Sequence, residues 1–212
     1  MSPHKVQPVR TAGAKLQSAT AAMIMVHGRG ATAENILTLV HAIDTPGFVY
    51  LAPQAAGNTW YPNSFLAPIP SNEPGISAGL SAIDALMKRI GAAHIPPEKT
   101  MLLGFSQGAC LSLEYAARHA RRYGGIAGLS GGLIGPDGTP RDYPGSFDGT
   151  AVFLGCSDVD FHIPVERVRE TGRVFERMGA VVELGLYPGM GHIVNEDEVN
   201  AVKEMMAEVI SS

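Results

Sequence analysis

Apolar residues in this chain come in two rhythms that take turns. Short unbroken runs, such as Ala21-Ala22-Met23-Ile24-Met25-Val26, are followed by stretches in which apolar positions recur every three or four residues. Unbroken runs suit strands buried on both faces, and the spaced stretches suit amphipathic helices. The pattern predicts strands over 6–11, 19–26, 48–52, 101–105, 125–130, 150–155 and 181–187, the first two joined by a short turn around Gly13. Helices are predicted over 32–43, 77–93, 109–123, 164–178 and 196–210. Pro53 stops one strand, and Pro96 with Pro97 closes one helix. From 54 to 76 no period holds and prolines recur at 62, 68, 70 and 74. A loop of that length in a compact domain is usually functional or mobile.

From about residue 20 onward strand and helix alternate, which predicts an α/β protein: a mostly parallel central sheet with helices on both faces. At 212 residues the whole chain is expected to form one domain. Ligands of such sheets bind beyond the carboxyl ends of the strands. The positions to inspect therefore follow Val26, Ala52, Phe105, Leu129, Gly155 and Tyr187.

Composition narrows the function classes. Charged residues make up 17%, apolar residues 45%, and the net charge is −4. The one basic cluster, Arg118, Arg121 and Arg122, reads as the solvated face of its helix, so nucleic acid is not an expected partner. No apolar run approaches the ~20 residues a bilayer span requires, so stable membrane insertion is not expected. The start of the chain lacks the long apolar stretch of a signal peptide. Cys110 and Cys156 are too few to staple a secreted scaffold, and Cys110 falls inside an apolar helix as a packing residue. A cytoplasmic protein is the resulting expectation. A homodimer is left open.

The chemistry concentrates at Gly104-Phe105-Ser106-Gln107-Gly108, a G-x-S-x-G pattern between a predicted strand and a predicted helix. A serine on such a sharp turn is lifted above the sheet edge, with the helix N-terminus aimed at the same spot. Its hydroxyl needs a base, and the base needs a carboxylate to hold one tautomer. In elbows of this kind the chain order is Ser, then Asp or Glu, then His. Of His119, His162 and His192, only His192 sits in a flexible turn just past the last strand, within Pro188-Gly189-Met190-Gly191-His192. Asp158 and Asp160 both lie in the loop after the strand over 150–155, and spacing does not choose between them. His162 beside them is either a substrate-side residue or an ordinary loop histidine. The two oxyanion donors expected are the backbone amides of Gln107 and Arg29, with Gly28 and Gly30 permitting the necessary turn. Trp60 and Tyr61, in the long loop, are candidates for an aromatic wall or for anchors of the loop's own packing.

A rival reading takes Gly28-Arg29-Gly30-Ala31-Thr32-Ala33 as a dinucleotide fingerprint. That motif calls for an acidic residue at the end of the next strand, where Pro53-Gln54 stands instead. The histidines are scattered, with no His-x-x-x-His pair and no Cys-x-x-Cys, so no metal and no cofactor is expected.

Taken together, the chain resembles the α/β-hydrolases of the phospholipase/carboxylesterase family, which includes acyl-protein thioesterases and small bacterial carboxylesterases. The resemblance rests on His27-Gly28-Arg29-Gly30, Gly104-Phe105-Ser106-Gln107-Gly108, Leu129-Ser130-Gly131-Gly132, Asp160-Phe161-His162-Ile163-Pro164 and Gly191-His192. It implies an α/β-hydrolase fold without a separate lid domain, and a Ser106-His192-Asp160 triad, since the family's aspartate stands four residues before this proline. Gly28, Trp60 and His162 become substrate-binding candidates. Two departures matter: Phe161 stands where the family usually has proline, and Arg29 where thioesterase members commonly carry an aliphatic residue lining the acyl tunnel. The Arg29 side chain is therefore expected to shorten or polarise the substrate site. The implied activity is hydrolysis of small to medium carboxylic esters or thioesters. The alternative from another class is a non-catalytic small-molecule-binding protein on the same fold.

Overall fold

The computed structural model describes residues 3–4 and 7–211. Its centre is a seven-stranded sheet in the order β1-β3-β2-β4-β5-β6-β7. These strands are β1 (Val9–Gly13), β2 (Ala21–Val26), β3 (Phe48–Pro53), β4 (Thr100–Phe105), β5 (Gly125–Leu129), β6 (Ala151–Ser157) and β7 (Val181–Tyr187). All neighbours run parallel except β1, which pairs antiparallel with β3 at the edge. The expected first strand began at Val6, which lies outside the described residues; the observed β1 starts three residues later and includes Gly13, the expected turn.

The continuous apolar runs are explained by two cores, one on each sheet face. Along β2, Ala22, Ile24 and Val26 face one core, while Ala21, Met23 and Met25 face the other. The first core is closed by α3 (Gly75–Ala92), α4 (Gln107–Arg118) and α5 (Val165–Arg177), through residues such as Ile83, Leu113 and Phe175. The second is closed by α1 (Ala33–Leu37), α2 (Val40–Ile43) and α6 (Glu196–Ser211), through Ile36, Ile43 and Met206.

The helix expected over 32–43 is two short helices. Thr32 starts α1 with a capping box shared with Asn35. At the junction the amides of Thr38 and Leu39 bond three residues back, to Asn35 and Ile36, and the Thr38 hydroxyl also takes the Asn35 carbonyl at 2.7 Å. That side-chain bond competes with the regular ladder and tightens the chain into 3₁₀ geometry. The loop expected over 54–76 is irregular, with two 3₁₀ turns, Ala56–Asn58 and Ile69–Asn72.

Strand order positions the site. From β2 the chain moves outward to β3, whereas from β4 it moves to β5 on the opposite side, so the loops leaving β2 and β4 diverge and open a crevice. The first turn of α4 is seated directly on the end of β2. A Cβ on Gly108 would lie 2.1 Å from the Val26 carbonyl oxygen and 2.5 Å from that of His27. No side chain fits there. Gly108→Ala should therefore force these backbones apart and cost about 3 kcal/mol of stability, read from the denaturant midpoint.

Glu198 on α6 is fully buried. One carboxyl oxygen accepts the Asn195 amide at 2.9 Å, and the other has no hydrogen-bond partner among the described residues. Burial pushes its carboxyl up to about 7, against 4.5 for an ordinary glutamate. The folded protein thus retains a proton that the unfolded chain has already lost. Stability contributed by that proton is complete below about 4.5 and is lost as the pH rises through about 7. Glu198→Gln should flatten this slope in denaturation series run between about pH 5 and pH 8.

Candidate active site

Ser106, between β4 and α4, has φ 55° and ψ −121°, a conformation that non-glycine residues rarely adopt. Its surroundings over-determine it: the Ser106 amide donates to the Leu129 carbonyl at 2.9 Å, and its carbonyl accepts the Cys110 amide at 3.0 Å. The hydroxyl is thereby held at the sheet edge, over the crevice.

His192 meets it from the loop after β7. Its Nε2 stands 2.8 Å from Ser106 Oγ, and its Nδ1 stands 2.6 Å from Asp160 Oδ2. The other Asp160 oxygen accepts the amides of His162 at 2.9 Å and Ile163 at 3.1 Å. Burial raises the Asp160 carboxyl, but the hydrogen bonds from His192 and from these amides outweigh it and leave the pKa below the ordinary aspartate value. The carboxylate form, which can only accept, fixes the proton of neutral His192 on Nδ1 and leaves Nε2 free to accept from Ser106.

Asp158 faces elsewhere. Its Oδ1 accepts the Gly189 amide at 2.8 Å, and Ser157 Oγ accepts the Gly191 amide at 3.2 Å. Both glycines have positive φ, 65° and 79°. The two β6-end side chains thus hold the turn that delivers His192. At its far end, Asn195 and Glu198 form a reciprocal cap on α6. Asp158 and Ser157 matter through this tether, which spacing along the chain does not reveal.

Arg29 and Gln107 are the residues following Gly28 and Ser106. Among the described residues, neither of their amides makes a backbone hydrogen bond. Gly28 is needed for closeness rather than for its angles: a Cβ there would lie 3.3 Å from Ser106 Cβ, and only Gly30 has positive φ. His27 orients this loop. The Ala55 amide donates to His27 Nε2 at 3.1 Å, so Nδ1 carries the proton and donates to the Gly28 carbonyl at 2.8 Å. In a planar trans peptide, holding that carbonyl turns the Arg29 N–H the opposite way.

Trp60 is a correction to the substrate-binding set. It is 1% exposed, flanked by the rings of His4 and His27, and its indole N–H donates to the His27 carbonyl at 2.9 Å. The bulk of the ring and its need for an acceptor are both met beneath the loop, where it serves as an anchor. Tyr61, next in sequence, reaches the crevice instead. The Gln107 side chain braces the same loop, accepting the Trp60 amide at 2.9 Å and donating to the Tyr61 carbonyl at 2.8 Å.

The crevice is an open cleft of about 420 Å³, lined among others by Gly28, Arg29, Tyr61, Phe65, Ser106, His162, Ile163 and His192. The Arg29 guanidinium donates to the carbonyls of Pro62 at 2.8 Å and Asn63 at 2.6 Å. It clasps the long loop to the end of β2 and finds its acceptors in the protein itself. Cys110 lines the floor, and burial pushes its thiol up to about 12, so it packs as an unreactive thiol. Among the described residues no group of three His, Cys, Asp or Glu side chains is disposed to hold a metal ion, and no helix is long and apolar enough to cross a membrane.

Known proteins share this architecture. A phospholipase/carboxylesterase from Dyadobacter fermentans superposes with a TM-score of 0.93 at 40% identity, over 98% of this chain and 99% of that one. Acyl-protein thioesterase 1 of Debaryomyces hansenii is 26% identical over 138 residues, 64% of this chain and 60% of that protein. A probable carboxylesterase of Oryza sativa subsp. japonica is 27% identical over 135 residues, 63% of this chain and 50% of that protein. The chain thus spans about half to three-fifths of the length of the curated relatives it matches. The phospholipase/carboxylesterase family model matches residues 12–210, nearly the full length, and with an α/β-hydrolase sheet beneath a serine elbow the chain belongs to that family.

Proposed function

We propose that this protein is a serine carboxylester hydrolase working through an acyl-enzyme. The observation that carries the reading is the unbroken hydrogen-bonded line from Ser106 Oγ through His192 to Asp160, at 2.8 and 2.6 Å. Ser106 Oγ attacks the ester carbonyl carbon while His192 Nε2 takes its proton. Asp160 keeps the imidazole in the required tautomer and stabilises the imidazolium. The negative oxygen of the tetrahedral intermediate is received by the amides of Arg29 and Gln107, aided by the N-terminus of α4. When the carbon–oxygen bond breaks, the alcohol oxygen keeps the bonding pair and takes the proton from His192. Water activated by the same histidine then attacks the acyl carbon, releases the acid and restores Ser106.

The open cleft suits small to medium acyl groups, in oxyesters or thioesters. Arg29 bears on their length through its clasp, which holds Pro62 and Asn63, both lining the cleft, to the end of β2.

Ser106→Ala should lower hydrolysis of p-nitrophenyl acetate at least ~10³-fold with the thermal midpoint nearly unchanged, and a phosphonate probe should label wild type at Ser106 only. A folded Ser106→Ala variant that keeps more than a few per cent of turnover would place the nucleophile elsewhere. Asp160→Asn should cost roughly 10²–10⁴ in kcat. Asp158→Asn retains an oxygen for the Gly189 amide, and its loss should stay within about tenfold. The reverse ranking would exchange the roles of the two aspartates.

A further inference from the structure

Six large apolar side chains are exposed among the described residues, and three of them sit beside the proposed triad: Val159 and Phe161 flank Asp160, and Ile193 follows His192. Phe161 is 83% exposed, Val159 61% and Ile193 56%. Their loops are already secured without them. The Asp160 carboxylate takes two amides, Ile163 is buried in the core, and Asp158 tethers Gly189. Phe161 therefore stands largely in solvent, its one ring contact being with the neighbouring His162 among the described residues.

Its ring has a direction. Phe161 lies against His162 with centroids 4.2 Å apart, and His162 meets His192 edge-on at 4.9 Å. The three rings form a row leading outward from the atom that handles the proton, and His162 is part of the cleft wall. The side of the cleft follows from the chemistry. His192 Nε2 must return its proton to the departing alcohol oxygen, so the alcohol part of an ester lies on the His192 side. The acyl part is then assigned to the rest of the cleft, which Tyr61, Phe65 and Arg29 help to line.

We propose that Phe161, packed at a tilt against His162, is the platform for the alcohol portion of the substrate, and that the enzyme prefers esters of flat, aromatic alcohols. The proposal rests on the esterase reading above. An aromatic group laid on Phe161 would remove exposed apolar surface from water and gain ring–ring contact. Phe161 is thus a specificity-determining residue, outside the proton relay.

The experiment compares kcat/KM for benzyl acetate and methyl acetate, measured by acid release, in wild type, Phe161→Ser and Phe161→Tyr. The two esters share an acyl group and have leaving oxygens of similar basicity, so their ratio reports recognition of the alcohol. Wild type should favour the benzyl ester roughly five- to tenfold. Phe161→Ser should erase most of that ratio, chiefly through KM, and Phe161→Tyr should retain it. An unchanged ratio in Phe161→Ser overturns the platform while leaving the esterase reading intact. No hydrolysis of either ester by wild type sinks both. Sedimentation of the same variants covers the remaining occupant: if Phe161→Ser dissociates a dimer and leaves the ratio alone, the patch belongs to a second copy of the chain.

Discussion

Everything at the site depends on backbone packed against backbone, where the first turn of α4 rests on the last residues of β2. Only hydrogen fits at Gly108, between the carbonyls of Val26 and His27. That closeness brings the loop after β2 within reach of Ser106: a Cβ at Gly28 would lie 3.3 Å from the Ser106 Cβ. It also explains why the serine tolerates a left-handed backbone: the strand before it and the helix behind it leave no room to relax.

Around this contact polar side chains hold loops in place. His27, Gln107, Trp60 and Arg29 all fasten the stretch over 54–76 to the ends of β2 and α4. Ser157 and Asp158 fasten the turn that carries His192, and Asn195 anchors that turn to α6. Such bonds are individually modest, but together they hold the geometry that the proposed proton transfer between Ser106 and His192 requires. Val159, Phe161 and Ile193 are different: they face water on loops that are otherwise secured.

Much of the fold was legible from pattern alone. Unbroken apolar runs mark parallel strands because both sheet faces are covered, and three-to-four spacing marks the helices above them. The serine elbow and the histidine turn were equally legible, because their positions after strands put them at the one edge where ligands bind. Less clear were the elements whose form rests on local competition. The helix over 32–43 divides because a threonine hydroxyl captures a carbonyl, and the first strand joins the sheet edge antiparallel to β3.

What the sequence determined by itself, then, was the order of elements and the residue types gathered at the sheet edge, since both follow from short-range periodicity and turn chemistry. Tertiary structure decided which of near-equivalent neighbours faces the crevice. Asp160 rather than Asp158 meets His192, Tyr61 rather than Trp60 reaches the cleft, and the Arg29 guanidinium turns to two carbonyls of the long loop. Each choice separates residues one or two positions apart, or the side chain from the backbone of a single residue. It is made by partners about 30 to 90 positions away in the chain, such as Gly189 for Asp158 and Ser106 for His192, and periodicity along a single segment carries no information about them.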